Sequence, residues 1–204
     1  MVLLRLNTED GKEGTQMSRK FGVTSLPTFV LLTPELTSAG MIRGYAPPEP
    51  FVKQLNLTRQ QHVAFQKKLK DESKLDFFAR LALAKELNAR ADFDLAIPRL
   101  KKLMTEKKVP AAVRDQAYYE LAVALFLQNK LTDSQKTIRE LLMLSRAGEA
   151  VERSRLLLGQ IYMQQGNLVA ARDEYRNFRD LFPDSMLLGN IEQVLADLEK
   201  RVPN

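Results

Sequence analysis

The side chains that most enzymes use for nucleophilic or redox chemistry are scarce in this sequence. Cysteine is absent, which excludes disulfide exchange, a thiolate nucleophile and cysteine-bound metal. His62 is the single histidine, so a two-histidine metal site cannot form. If His62 were part of a Ser–His or Cys–His catalytic pair, the chain would have no second histidine. His62 follows Gln60 and Gln61, which predicts a surface position on the flank of a helix. We expect no catalytic residue, no cofactor and no metal in the chain as given.

Basic residues outnumber acidic ones, but the charge is dispersed along the chain. The net charge is +6, from 31 Lys and Arg against 25 Asp and Glu. Lysine clusters can mark a surface for nucleic acid or acidic lipid, and the densest here are Lys67/Lys68/Lys70, Lys101/Lys102 and Lys107/Lys108. Acidic residues are interleaved with them and base-stacking aromatic residues are not. This favours solvated helix faces and no binding of nucleic acid.

The sequence predicts no membrane span and shows no export signal at its start. No apolar run approaches the about 18 residues that suggest a membrane helix. Residues 2–6 are apolar apart from Arg5, but polar and acidic residues follow at once, without an apolar export segment. We therefore favour the cytoplasm, with the periplasm as the alternative if the natural chain begins before Met1.

Short β-rich runs alternate with turn residues in the first part of the chain. The patterns predict strands at 2–6, 27–33 and 40–45, a turn at 34–39, and a helix at 12–20 that ends at Phe21-Gly22. The run 27–33 is typical of a buried strand, which Pro27 can begin, and with 40–45 it predicts a hairpin. Prolines at 47, 48 and 50 open a helix in which Phe51, Val52 and Leu55 are expected to face inward. The predicted order is βαββα, which is a small core for an independent domain.

After residue 75 the sequence has helical periodicity and repeats itself. Residues 82–96, 120–134 and 157–171 align without gaps. Their turn position recurs at Ala91, Asn129 and Gly166, at spacings of 38 and 37 residues. A last helix is predicted at about residues 185–201, after Pro183 and before Pro203.

These repeated segments resemble tetratricopeptide repeats. In residues 152–185 the family's positions are occupied by Leu158-Gly159, Tyr162, Gly166, Leu168, Ala171, Tyr175 and Pro183. Gly159 and Ala171 are expected to be small because two helices cross closely there. The other copies are more degenerate, with Asn129 for the glycine and Ser134 for the alanine in the second. A generic helical bundle is the alternative interpretation.

The repeat resemblance implies a concave face, lined by the first helix of each pair, that binds a protein or peptide partner. By family position this face contains Phe78, Leu81, Lys85, Gln116, Tyr119, Val123, Phe126, Arg153, Leu156, Gln160 and Met163. The family's best-known ligand mode clamps a C-terminal carboxylate with polar and basic residues. The positions where this mode needs polar or basic residues are occupied here by Leu81, Glu120 and Leu157. We therefore do not expect such a clamp.

Residues 2–57 resemble the second half of a thioredoxin-like domain. The resemblance rests mainly on Gly22-Val23 and Leu26-Pro27-Thr28, followed by the predicted hairpin. It implies a cis bond before Pro27 and a substrate-docking loop formed by Ser25, Leu26, Pro27 and Thr28. About one X–Pro bond in twenty is cis, and a trans proline that begins a strand is the alternative.

The front half of the thioredoxin-like family, which carries its Cys-X-X-Cys motif, has no counterpart in this sequence. In that family the strand matching 2–6 and the strand matching 28–33 flank a central strand and do not touch. We therefore expect either a free strand edge or direct pairing of these two strands. The sequence favours the hypothesis that the chain is a fragment or late-start product of a longer protein.

The predicted architecture is an α+β remnant followed by an all-α array of about three repeats and a closing helix. The predicted bounds are 1–57 for the partial thioredoxin-like domain, 58–75 for a linking helical segment and 76–204 for the repeats. The expected function is a non-catalytic interaction module that binds a protein partner or unfolded client, as in redox-linked co-chaperones. The alternative is a fragment of a thiol–disulfide oxidoreductase whose Cys-X-X-Cys lies before Met1.

Overall fold

The computed structural model describes residues 6–23 and 25–202. A small α+β region is followed by a succession of helices, as the sequence predicted at that coarse level. The elements of the α+β region are α1 (Glu13–Lys20), β1 (Thr28–Leu32), β2 (Ser38–Arg43) and α2 (Pro48–Lys70). A short 3-10 turn (Glu72–Lys74) leads to α3 (Phe77–Ala89), α4 (Phe93–Thr105), α5 (Ala111–Leu127), α6 (Leu131–Leu144), α7 (Glu149–Gln164), α8 (Leu168–Leu181) and α9 (Leu188–Arg201).

The chain divides into two compact units, residues 1–99 and 100–204. This division falls inside α4. The predicted boundary between residues 57 and 58 falls inside α2, which continues to Lys70 without a break. Residues 58–70 contain neither glycine nor proline, so nothing in the local sequence ends the helix there. The predicted bounds rest on the two family resemblances and remain a prediction.

In the first unit, local signals produce the predicted helix and hairpin. The Asp10 carboxylate accepts hydrogen bonds from the backbone N–H groups of Lys12, Gly14 and Thr15 at the start of α1. The helix ends at Phe21, and Gly22 has a φ of +61°. Strands β1 and β2 pair in antiparallel fashion. The predicted strand at 2–6 lies outside the described residues except for Leu6.

Three details of this unit differ from the sequence predictions. The second strand spans Ser38–Arg43 instead of the predicted 40–45, so it begins inside the predicted turn at 34–39. Strand β1 is half-buried, not buried, and Leu32 is 39% exposed, because the described sheet has two strands. Val52 was predicted to face inward with Phe51 and Leu55, but it is 52% exposed. The inward side of α2 is set by Phe51, whose ring centroid lies 4.8 Å from that of Phe29, and by the buried Thr58 and Phe65.

In the second unit, α5 packs against α6, α7 against α8, and α9 against α8. Gly159 lies where α7 meets α8, and a Cβ atom there would be 2.6 Å from the Tyr175 ring. This supports the prediction that position 159 must be small. At the corresponding crossing of α5 and α6, the buried Ser134 hydroxyl donates to the Ala122 carbonyl at 2.7 Å. The helix predicted at about 185–201 is present as α9.

The turn after the first helix of each pair has the same backbone structure three times. Ala91, Asn129 and Gly166 have φ values of 58°, 60° and 74°. The next residue donates its N–H to a carbonyl five positions back, from Asp92 to Leu87, from Lys130 to Leu125 and from Asn167 to Tyr162, each at 2.9 Å. This is the Schellman arrangement, in which a left-handed residue ends the helix. The three aligned turn positions are therefore structurally equivalent.

Exchanging residue types at the equivalent turn positions is expected to change stability in opposite directions. A residue with a Cβ atom in the left-handed region costs about 1–2 kcal/mol relative to glycine. Ala91→Gly is therefore expected to raise the free energy of unfolding by about 1 kcal/mol, and Gly166→Ala to lower it by about 1 kcal/mol. Chemical denaturation monitored by circular dichroism measures both. Changes of the same sign would contradict equivalence of the two turns.

Candidate protein-binding face and proline loop

The predicted docking loop lies at the start of β1. Its Leu26–Pro27 peptide bond is cis, as predicted. Ser25, Leu26 and Pro27 are exposed, with Leu26 at 67%, and Thr28 is half-buried. The Thr28 hydroxyl donates to the Ser25 carbonyl, which closes the loop on itself. The loop thus presents an exposed apolar side chain, and its role in docking remains a prediction.

Three residues of the predicted face lie on α3, in the first unit. Phe78 is 62% exposed and Lys85 is exposed, so both are accessible on the surface of that unit. Leu81 is only 9% exposed. Leu81 is thus one of the buried hydrophobic residues of the chain and offers little surface for binding. The helix begins at Phe77, and the carboxylate of the preceding Asp76 caps it by accepting from the Ala79 N–H at 2.8 Å.

Four residues of the predicted face lie on α5, and all four are half-buried: Gln116, Tyr119, Val123 and Phe126. The last three pack against the buried cluster of Ala122, Ile138, Leu157, Leu158 and Ile161. One side of each is thus held by α6 and α7, which pack against α5. Tyr119, Val123 and Phe126 are three or four residues apart and so share one side of α5, and we call their accessible parts the apolar strip.

The α7 residues of the predicted face alternate between polar and apolar. Arg153 and Gln160 are exposed, and Leu156 and Met163 are half-buried. Leu156 and Met163 pack against the buried cluster formed by α8 and α9, which includes Tyr175, Phe178 and Leu195. The Tyr175 hydroxyl donates to the Met163 sulfur at 3.7 Å, and burial raises the pKa of Tyr175 to about 12.

One polar contact, between Tyr119 and Arg153, connects α5 and α7, and two further polar contacts lie within these helices. Burial raises the pKa of Tyr119, and the neighbouring Glu120 adds to this, while a hydrogen bond and the charge of Arg153 act in the opposite direction. Arg153 also forms an ion pair with Glu149 at 2.9 Å. Gln116 donates to the Glu120 carboxylate at 3.2 Å. These groups fix side chains and offer hydrogen-bonding atoms, and they contain no nucleophile with an adjacent base.

Sequence reasoning selected neither Glu149 nor Glu120 as part of the face. The spacing of four residues in Gln116/Glu120 and Glu149/Arg153 is the signal that identifies such pairs on one side of a helix. Tyr119 and Arg153 lie on different helices, so no local spacing predicts their contact. The structure thus brings Tyr119 of α5 and Arg153 of α7 into contact, whereas the apolar face residues of the two helices pack against two different buried clusters.

His62 lies in the first unit against the guanidinium of Arg90, at the end of α3. Arg90 Nη1 is 3.3 Å from His62 Nδ1 and donates to the carbonyl of Ala39 at 3.0 Å. Burial lowers the pKa of His62, and the charge of Arg90 lowers it further. The single histidine thus contributes to a junction between α2, α3 and β2, and the sequence prediction of a helix-flank position holds in part.

Within residues 6–23 and 25–202, no cluster of three or more His, Asp or Glu side chains could hold a metal ion. No helix in that part of the chain is long and apolar enough to cross a membrane. In comparisons with known proteins, no family model, no curated protein and no solved structure matches the chain.

Proposed function

We propose that the helical pairs form a tetratricopeptide-like array and that the face of α5 and α7 binds a protein partner in an extended or unfolded state. The observation that carries the proposal is the strip of Tyr119, Val123 and Phe126, apolar and half-buried on a helix held by its neighbours. An extended polypeptide presents apolar side chains and polar backbone groups. The apolar strip can bind the side chains, and the hydrogen-bonding groups beside it can bind the backbone. The exposed Gln160 and Arg153 supply such groups.

The repeated turns support the array. Left-handed residues recur at the aligned positions 91, 129 and 166, each with the same hydrogen-bond pattern. Consecutive units of this kind stack and present their first helices on one side in repeat proteins. Phe78, Leu81 and Lys85 on α3 lie in the first unit, and their part in a binding face remains a prediction from the sequence alignment. The thioredoxin-like resemblance of the first unit remains a second proposal, supported by the helix, the hairpin and their order.

A charge introduced into the strip is expected to weaken binding to an unfolded client. Val123→Glu places a carboxylate among Tyr119 and Phe126, so suppression of aggregation should fall by at least about tenfold in effective concentration. The assay is light scattering by insulin reduced with dithiothreitol, which leaves this cysteine-free chain unchanged. The wild-type chain should suppress scattering in proportion to its concentration.

Leu125→Glu is the matched control, because Leu125 lies on the same helix, is also aliphatic and half-buried, and lies two residues from Val123, on the opposite side of the helix. It should retain suppression. Both variants are first checked for helicity and unfolding midpoint, and Gln160→Glu serves as a second face variant at an exposed site. Equal loss in Val123→Glu and Leu125→Glu, or no suppression by the wild-type chain, would count against the proposal.

A further inference from the structure

Arg90 attaches the end of α3 to β2 and to α2. Its Nη1 group donates to the carbonyls of Ser38 and Ala39, at 3.3 and 3.0 Å, and the Ser38 N–H donates to the Arg90 carbonyl at 2.9 Å. The guanidinium lies 4.0 Å from the centroid of the Phe65 ring on α2, and the Arg90 side chain is 13% exposed. Arg90 is thus a largely buried cation whose hydrogen bonds hold β2 to α3.

His62 is a third acceptor for the same guanidinium. Its Nδ1 atom lies 3.3 Å from Arg90 Nη1. A guanidinium can only donate hydrogen bonds, so Nδ1 must be the unprotonated nitrogen of a neutral ring. A protonated imidazole carries N–H groups on both nitrogens. Protonation of His62 therefore removes this hydrogen bond and places two donors, each on a positively charged group, against each other.

The charges around this contact do not compensate a second cation. The Glu86 carboxylate of α3 accepts from the guanidinium at 2.9 Å, and its other oxygen lies 3.7 Å from the ammonium of Lys68 on α2. One carboxylate is thus shared by two cations. Arg59, three residues before the imidazole on α2, is exposed and also positive. The charged residue of β2 is Arg43, at the opposite end of that strand from Ser38.

We propose that His62 makes the attachment of β2 to α3 sensitive to acid. While the ring is neutral it accepts from Arg90 and β2 stays attached, and when the ring gains a proton the contacts of Arg90 with Ser38 and Ala39 weaken. The effect is confined to the junction of α2, α3 and β2 within the first unit. It is independent of the face proposed to bind a protein partner.

The direction of the pH dependence follows from the environment of the ring. Burial lowers the pKa of His62 from its ordinary value of 6.5, and the charge of Arg90 lowers it further. The open form of the junction therefore takes up the proton more readily than the closed form. The stabilisation by the neutral ring is complete above pH 6.5 and is lost as the pH falls through the lowered pKa.

NMR titration of the full chain provides the first test. Because His62 is the only histidine, its ring signals can be followed without overlap. The pKa of His62 should lie below 6.5 in the folded chain and near 6.5 in the chain unfolded by urea. A pKa in the folded chain equal to or above that in the unfolded chain overturns the proposal, because protonation would then not oppose the closed junction.

Hydrogen exchange at the Ser38 amide measures the attachment itself, since this amide donates to the Arg90 carbonyl. His62→Asn is the matched variant: its side-chain oxygen can accept from Arg90 but does not titrate, and the two residues have similar helix propensities. Between about pH 7.5 and about pH 5, where a histidine changes its charge, the protection factor should fall several-fold more in the wild-type chain than in His62→Asn.

The Lys130 amide, which donates to the Leu125 carbonyl in the second unit, is the internal control. Its protection should have the same pH dependence in both proteins. Equal losses at Ser38 in the two proteins overturn the proposal. A Ser38 protection factor that does not change with pH in the wild-type chain also overturns it, and this result needs no variant that folds.

Discussion

Replacing Gly159 with alanine is expected to lower the free energy of unfolding by about 1–3 kcal/mol, the usual cost of overfilling a packed core. The new Cβ would lie 2.6 Å from two atoms of the Tyr175 ring. Tyr175 is 5% exposed and its hydroxyl donates to the Met163 sulfur, so the ring cannot move aside freely. Urea denaturation followed by circular dichroism measures the loss.

The matched control is Gly189→Ala, because Gly189 also lies in a helix and a Cβ atom there has nothing within 4 Å. Alanine has the higher helix propensity, so this change should stabilise the chain by up to about 1 kcal/mol. Opposite signs at the two glycines are the expected result. If Gly159→Ala also stabilises the chain, α7 and α8 do not approach as closely as described.

A double-mutant cycle isolates the contact itself. In the α5–α6 pair the corresponding positions are Ala122 and Ile138, which are both fully buried in one cluster. Adding Tyr175→Ile to Gly159→Ala should therefore restore part of the lost stability. The effects of the two changes should fail to add by about 0.5–3 kcal/mol. Strict additivity would show that the ring and the glycine do not interact.

Replacing Arg90 with alanine is expected to destabilise the first unit by about 2–4 kcal/mol, since hydrogen bonds to a charged group and ring stacking are lost together. The guanidinium donates to the Ala39 carbonyl at 3.0 Å and to the Glu86 carboxylate at 2.9 Å. It also stacks on the Phe65 ring at 4.0 Å from the centroid. Hydrogen exchange at the β2 amides and denaturation by urea measure the effect.

Arg59→Ala is the control for loss of an arginine, because Arg59 is exposed on α2. It should change the free energy of unfolding by no more than about 0.5 kcal/mol. Arg90→Lys keeps the charge but loses the planar fork, so it should recover only part of the stability. If Arg90→Ala matches Arg59→Ala, the contacts of Arg90 with β2 and α2 do not contribute to stability.

The parts of the fold that the sequence predicted depend on local signals. Phe21-Gly22 ends α1, and turns occur at the aligned positions 91, 129 and 166, where the structure adds that all three residues are left-handed. The cis bond at Pro27 was expected from a family resemblance carried by a few residues nearby. The small residue at Gly159 followed from the repeat alignment, and its contact with Tyr175 fits that reasoning.

The errors of prediction concern contacts between distant segments. Val52 fits the apolar spacing of an inward face, yet Phe51 and Leu55 take that role and Val52 is exposed. Strand β1 has the composition of a buried strand, but its sequence does not indicate how many strands flank it. The contacts of Arg90 reach from residue 90 to residues 39 and 62, separations at which no periodic pattern operates.

Site-specific crosslinking tests most directly whether the face of α5 and α7 binds a protein partner. Because this 204-residue chain has no cysteine, Gln160→Cys and Lys136→Cys each carry one thiol, on the proposed face and on the exposed surface of α6. Each is labelled with a photoreactive maleimide and irradiated with reduced, unfolding insulin. We expect the label at position 160 to capture insulin several-fold more efficiently than the label at position 136. Equal capture at both positions, or capture only at 136, would contradict the account.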